Sequence, residues 1–308
     1  MSVERVIASL AGILPVLQIP FTPANPVDVV DESALRQEVD FCVAGGVHGL
    51  VVPALASEFM VLTDDERRLV VEVTIDQAAG RVPVVANVAG TSTSAALAFT
   101  RHACEAGATA LMALPPYVRR PTMDGVFTYY AAIAEESGLP VIVQNAPPPF
   151  GISLPTPVVL RLIEEIPLVT YIKEERLPPG RNISEVVANA PAKLRGVFGG
   201  TAGIYFASEL QRGVIGSMPS AALCDVLVTV FNAWSAGDAA RSRAIHGQLL
   251  PLLTLEMSAL MAVSKEVLRR RGVFSTTTMR DPEFYPLDAG DLAELDALWP
   301  QVSALFTV

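Results

Sequence analysis

Leu168-Val169-Thr170-Tyr171-Ile172-Lys173-Glu174-Glu175 reads as a short buried strand that ends in a lysine followed by acid. Lysine is scarce in this chain: of 22 basic residues only Lys173, Lys193 and Lys265 are lysines. Burial disfavours the charged ammonium form, and the free amine that results is a nucleophile toward a carbonyl carbon. The plainer reading is a lysine that snorkels out to solvent where the strand ends. The strand alone does not choose between the two, so the surrounding chain has to.

Working outward, apolar runs of strand length recur, each followed by an amphipathic helical stretch. They begin near Gly12, Gly49, Val82, Thr109, Pro140, Leu168, Lys193 and Gly213. Eight such units within about 220 residues fit an α/β fold of the (β/α)8 TIM-barrel type, whose active site lies at the C-terminal strand ends. A doubly wound sheet would call for a glycine-rich dinucleotide turn after the first strand, and there is no G-x-G-x-x-G there. Helix starts are marked by the capping box Thr63-Asp64-Asp65-Glu66 and by Pro155 and Pro157 before Leu160–Glu165. We expect the barrel over residues 1–221. Residues 222–308 should form a C-terminal helical extension on its flank, broken at Gly237-Asp238, Gly272 and Pro282–Pro286, with Leu249, Leu250, Leu252 and Leu253 as its apolar stripe.

Composition narrows the function. The 308 residues are 51% hydrophobic and 18% charged, with a net charge of −10. The one basic cluster, Arg269-Arg270-Arg271, sits on an expected helix, which argues against nucleic acid or an anionic membrane as partner. No apolar run reaches the ~18 residues of a membrane span, and Met1–Arg5 does not start a secretory leader. Cys42, Cys104 and Cys224 are odd in number and set in apolar patterns, as suits reduced thiols in a cytoplasm. His48, His102 and His246 are isolated from one another and from any acidic cluster, so neither a metal site nor a cofactor is expected.

In a barrel, the polar residues at strand ends carry the chemistry. They are Leu55-Ala56-Ser57-Glu58 after the second strand, Tyr117 after the fourth, Gln144-Asn145 on the fifth and Lys173 on the sixth. Gly200-Thr201 follows the seventh strand, and Ser217 belongs to the eighth. We take Lys173, Gln144 and Tyr171 as candidate catalytic groups. The candidate substrate contacts are Leu55, Ala56, Ser57, Glu58, Tyr117, Asn145, Gly200, Thr201 and Ser217. The glycine cluster from Gly199 to Gly203 opens a helix, where backbone N–H groups can hold a phosphate or carboxylate.

With these residues in view, the chain resembles the dihydrodipicolinate synthase/N-acetylneuraminate lyase superfamily of Schiff-base (class I) lyases. The resemblance rests on Gly46–Val52 with Ser57-Glu58 and Leu62–Arg67, and on Ala106–Thr122 with Pro115-Pro116-Tyr117. It also rests on Ile172-Lys173-Glu174 and Lys265–Leu268. It implies an imine between Lys173 and a 2-oxo acid such as pyruvate or a 2-keto-3-deoxy sugar acid, followed by aldol chemistry or dehydration. It further implies a homo-oligomer, dimer or tetramer, with Tyr117, Val118 and the Leu55–Met60 loop in the region where related subunits meet.

Several positions depart from that pattern. Ala54-Leu55-Ala56-Ser57-Glu58 lacks both hydroxyls of the family's second-strand motif, although backbone N–H groups there can still bind an anion. Gln144 replaces the proton-shuttling tyrosine, and an amide does not act as general acid or base near pH 7. Val118 and Pro149 stand where a second relay tyrosine and a carboxylate-binding arginine belong, which argues against dihydrodipicolinate synthesis. Strand alternation puts Tyr171 on the Lys173 face, one layer below at roughly 6–7 Å. Its phenol either supplies the missing shuttle or fills space. Glu58 is a second acid candidate or a loop-fixing carboxylate. Glu175 shares the lysine's face by parity, and it either follows the lysine inward or stands in solvent past the strand end. Two functions stand: a lysine-imine lyase with unusual acid–base partners, or a binding barrel that has lost its relay.

Overall fold

In a computed structural model, residues 10–24, 27–149, 151–280 and 286–308 are described. The N-terminal residues read above for a leader, and all but the last residue of the helix break expected at Pro282–Pro286, lie outside them. Eight parallel strands form one sheet in the order β1, β10, β9, β8, β7, β6, β5, β4. They are β1 (Gly12–Ile13), β4 (Leu50–Val52), β5 (Val84–Asn87), β6 (Ala110–Ala113), β7 (Val141–Asn145), β8 (Val169–Glu174), β9 (Gly196–Gly199) and β10 (Gly216–Ser217). Val16 bridges in parallel to both Val51 and Ser220, which closes the ring between its first and last strands. Each of the eight regions read as a strand contributes one strand of the barrel. A small antiparallel pair, β2 (Phe21–Thr22) with β3 (Val29–Val30), was not foreseen.

The strand residues are rich in Val, Ile and Ala because both faces of a parallel sheet are covered. One face fills the barrel with Leu14, Val51, Val85, Met112, Ile142, Tyr171, Phe198 and Met218. The other meets the surrounding helices through residues such as Leu50, Val52, Leu111, Val143 and Ile172. Burying a side chain of this size contributes roughly 1.5–3 kcal/mol, so the two layers together supply the main driving force for folding. At the lower end of the barrel Gly12 takes φ +88°, and a Cβ there would stand 2.3 Å from the His48 ring. His48 Nδ1 accepts the Ile13 N–H at 3.1 Å, and burial lowers the imidazole pKa, which keeps that nitrogen a free acceptor.

Between the strands lie α1 (Glu32–Ala44), α2 (Asp64–Ala78), α3 (Thr93–Ala106), α4 (Met123–Ser137), α5 (Thr156–Glu165), α6 (Pro179–Ala188) and the short α7 (Phe206–Leu210). The capping box of α2 forms as read: Thr63 Oγ1 accepts the Glu66 N–H at 3.2 Å, and Glu66 Oε2 accepts the Thr63 N–H at 2.9 Å. After β10 come α8 (Cys224–Ser235), α9 (Ala239–Ala259), α10 (Met261–Arg270) and α11 (Ala289–Ser303). Helix α8 packs on β1 and on α9. Leu249, Leu252 and Leu253 are buried as expected, whereas Leu250 falls off that stripe and is exposed. The α9–α10 break at Leu260 carries no glycine or proline, so no local residue type announces it. Its geometry brings the extension over the open end of the barrel.

Candidate active site

Alternation along β8 turns Tyr171, Lys173 and Glu175 inward and Thr170, Ile172 and Glu174 toward the helices. Lys173 is level with Gln144 on β7 and Phe198 on β9. It is 3% exposed, so it does not snorkel out. Its Nζ lies 3.3 Å from Oε1 of Glu175. That carboxylate is buried in turn and held from two further sides. Gln144 Nε2 donates to Oε2 at 2.9 Å, and the backbone N–H of Thr201 donates to Oε1 at 3.1 Å. The glycine-rich turn thus does bind an anion, and the anion is the chain's own carboxylate. A Cβ on Gly200 would stand 2.3 Å from Glu175 Oε1, so only glycine leaves room for it.

Lys173 and Glu175 open on a cavity of about 420 Å³, which Leu55, Ala56, Glu58, Thr201 and Met218 help to line. Its far wall comes from the C-terminal extension through Glu256, Met257, Leu260, Met261 and Ser264. Glu58, Thr201, Ala202 and Leu260 all line it with positive φ; among the described non-glycine residues only Ala79 shares that conformation elsewhere. Such backbone costs on the order of 1–3 kcal/mol per residue and persists where surrounding packing enforces it, commonly at functional sites. Glu58 pairs with the buried Lys265, whose Nζ also donates to the Thr278 carbonyl at 2.9 Å. Burial lowers the Lys265 pKa and Glu58 opposes the shift. Glu58 therefore joins the barrel mouth to the extension while presenting one side to the cavity.

At the far wall Ser264 Oγ donates to Glu256 Oε1 at 2.6 Å. Burial raises the Glu256 pKa, against the opposing hydrogen bonds of Ser220 and Ser264. Outside the barrel wall, the Glu209 carboxyl packs against Gly199, and neither of its oxygens has a hydrogen-bond partner. Burial, with the Glu175 charge adding to it, pushes Glu209 up to about 8.

The structure brings Lys173, Gln144, Leu55, Ala56, Glu58, Gly200 and Thr201 together but separates the other candidates from them. Tyr171 faces inward, yet its hydroxyl accepts the Leu10 N–H at 3.2 Å. Leu10 precedes β1, so the phenol points to the lower end of the barrel, away from the lysine. Ser217 alternates with Met218, which lines the cavity, so it faces the helical layer. Asn145 also faces outward: its side chain exchanges hydrogen bonds with Leu154 at 2.8 and 3.1 Å and donates to Glu174 at 2.9 Å. Ser57 accepts the Ala54 N–H and donates to the Leu17 carbonyl, which pins the loop. Tyr117 stacks edge-on against Phe59 and does not line the cavity.

The groups missed in the sequence are Glu256 and Ser264, which lie on either side of the unforeseen break. Glu175 was visible by parity alone. Among the described residues no group of three or more His, Cys, Asp or Glu side chains is placed to hold a metal ion.

Residues 9–300 match the model of the dihydrodipicolinate synthetase family. A 4-hydroxy-tetrahydrodipicolinate synthase of Methanopyrus kandleri is 31% identical over 245 residues, which is 79% of this chain and 80% of that protein. An L-2-keto-3-deoxyarabonate dehydratase of Azospirillum brasilense is 29% identical over 282 residues, 89% of this chain and 90% of that one. Among solved structures, YagE, a prophage protein of Escherichia coli K12 described as a dihydrodipicolinic acid synthase family member in complex with pyruvate, superposes with a TM-score of 0.88. It is 24% identical, over 96% of this chain and 99% of that one. The closed eight-stranded barrel and a match that spans nearly the whole chain agree, and the chain belongs to the dihydrodipicolinate synthetase family.

Proposed function

We propose that this protein is a lysine-imine lyase of 2-oxo acids in which Glu175 moves the protons that a tyrosine moves elsewhere in the family. The observation that carries it is the buried contact of 3.3 Å between Lys173 Nζ and Glu175 Oε1 at the floor of the cavity. Glu175 takes a proton from the Lys173 ammonium, and the freed amine attacks C2 of the 2-oxo acid to form a C–N bond. The carbinolamine oxygen is then protonated through Glu175 and leaves as water. Ammonium and ketone have become iminium and water, and Glu175 ends as carboxylate. A positioned general acid–base group of this kind is worth roughly 10²–10⁴-fold. The substrate carboxylate is assigned to the Leu55-Ala56 turn, where backbone N–H groups replace the missing hydroxyls. Incubation with pyruvate and a panel of 2-oxo acids, followed by borohydride, is expected to add ligand mass to the Lys173 peptide. An unmodified peptide across the panel, beside a control aldolase that is labelled, would sink the proposal.

The reaction is assigned to an aldolase or dehydratase other than dihydrodipicolinate synthesis. Gln144, Leu55, Val118 and Pro149 occupy the positions of the family's relay and its carboxylate-binding arginine, which supports this. Robust condensation of pyruvate with aspartate semialdehyde by the purified protein would overturn it. We also propose a homo-oligomer, because Met60 and Val118 are exposed apolar side chains in the region where related subunits meet. A particle of 32.7 kDa by light scattering would refute this. A reducing, cytoplasmic setting accords with three unbridged cysteines, two of them buried; no described helix is long and apolar enough to cross a membrane.

A further inference from the structure

The cavity is larger and less polar than a three-carbon acid requires. Its volume of about 420 Å³ falls in the range of roughly 300–1,000 Å³ typical of sites for drug-sized ligands. Among its lining residues Lys173 is the one lysine or arginine, and that ammonium is already beside Glu175. The other two acids are spoken for as well: Glu58 is neutralised by Lys265, and Glu256 is bonded by Ser264. A second carboxylate on the substrate would therefore meet carboxyl groups and no counter-charge. A chain of hydroxyls is served only at the two ends, where Thr201, Glu58 and Glu256 offer partners, because the stretch between them presents thioether and alkyl side chains. The wall between the lysine and Glu256 is instead built of Met218, Met257, Leu260 and Met261 with Leu55 and Leu177. Leu260 is held at φ 45° and ψ −124° at the α9–α10 corner, a conformation that a leucine adopts only under enforcement by its surroundings.

We infer that the 2-oxo acid handled here carries, beyond its reacting carbonyl, an apolar and uncharged group of aryl or branched-alkyl size, seated against the methionine and leucine wall supplied by the C-terminal helices. The inference rests on the imine reading of Lys173 and goes further by naming the class of the variable half. Methionines suit such a role because their flexible, polarisable side chains adapt to an aromatic or alkyl surface.

The test is borohydride trapping on Lys173 at graded concentrations of pyruvate, 2-oxo-4-phenylbutanoate, 2-oxoglutarate and a 2-keto-3-deoxy sugar acid. Imine formation is common to all four, so the half-saturating concentrations report how the tail is received. The phenyl-bearing acid is expected to half-saturate at least about tenfold below 2-oxoglutarate and the sugar acid, the discrimination that a few methylenes of apolar contact provide. Equal or reversed order overturns the inference while pyruvate trapping upholds the imine. If none of the four is trapped, the imine reading fails. The wall is then read by calorimetry with 4-phenylbutanoate against glutarate, and equal or weaker binding of the phenyl compound overturns the inference too. Met257→Lys, at a partly exposed wall position, is expected to shift the preference at least about tenfold toward 2-oxoglutarate. Leu177→Lys, at a more exposed position, serves the same purpose should the first variant not fold. An unchanged ratio in a folded variant removes the tail from this wall and defeats the assignment.

Discussion

Glu175 Oε1 stands 3.3 Å from Lys173 Nζ, while its Oε2 receives the Gln144 amide at 2.9 Å. One carboxylate therefore faces the candidate nucleophile and is aimed by an amide on the adjacent strand. Glu175→Gln keeps the side-chain length and removes the acid. Trapping of a 2-oxo acid on Lys173 should slow by about 10²–10⁴-fold, and Lys173→Met should abolish it. Wild-type trapping kinetics in Glu175→Gln would move the proton shuttle elsewhere. Gly200→Ala approaches the same carboxylate from behind. Its added methyl requires Glu175 to move, so trapping should fall with an overpacking cost of roughly 1–3 kcal/mol in urea unfolding.

Tyr171→Phe should leave trapping and turnover at the wild-type rate. Its hydroxyl is bonded to the Leu10 N–H at the far end of the barrel, so the variant loses about 1 kcal/mol of stability. A hundredfold loss of trapping with unchanged unfolding would show the phenol to act at the site after all.

Lys265 and Glu58 are both buried and face each other. Lys265→Met leaves a buried carboxylate without its partner and is expected to cost about 3–5 kcal/mol, whereas Glu58→Gln combined with Lys265→Met should recover much of that loss. Denaturant unfolding of the three proteins decides it: a double variant no more stable than Lys265→Met would argue that the pair is not coupled.

Glu209, pushed up to about 8 in the folded protein, has an ordinary carboxyl pKa of ~4.3 when unfolded. Between those values the folded state holds a proton that the unfolded state has released, so the contribution of this group to stability is full below about 4.3 and is lost as pH rises toward 8. Glu209→Gln removes this slope, which amounts to a few kcal/mol as an order of magnitude. Urea unfolding at pH 5.5 and 8.5 measures it; identical pH dependence in variant and wild type would contradict the assignment.

Gln144, Lys173 and Glu58 were legible in the sequence because strand alternation and position along a strand are local properties. Leu168–Glu175 alone shows which side chains share a face, and the recurrence of such runs is enough for a barrel. Tyr171 marks the limit of that reasoning. Parity put it on the correct face, but the direction of its phenol was set by Leu10, far away in the chain. Glu175 shows the converse: a residue that local sequence left between pocket and solvent is drawn inward by the Thr201 amide and by the space at Gly200.

The sequence by itself determined the eight strands, the lysine on the inner face of the sixth, and the absence of a tyrosine beside it. Those follow from side-chain periodicity, which neighbours in the chain dictate. Only the tertiary structure decided that Glu175 is the lysine's partner, that Glu58 is held by Lys265, and that Glu256, Leu260 and Met261 wall the cavity. Each of these depends on where the α9–α10 corner and the turn after β9 are carried in space. Packing over the whole barrel mouth fixes that, and it holds Thr201, Ala202 and Leu260 in backbone conformations that their own side chains disfavour.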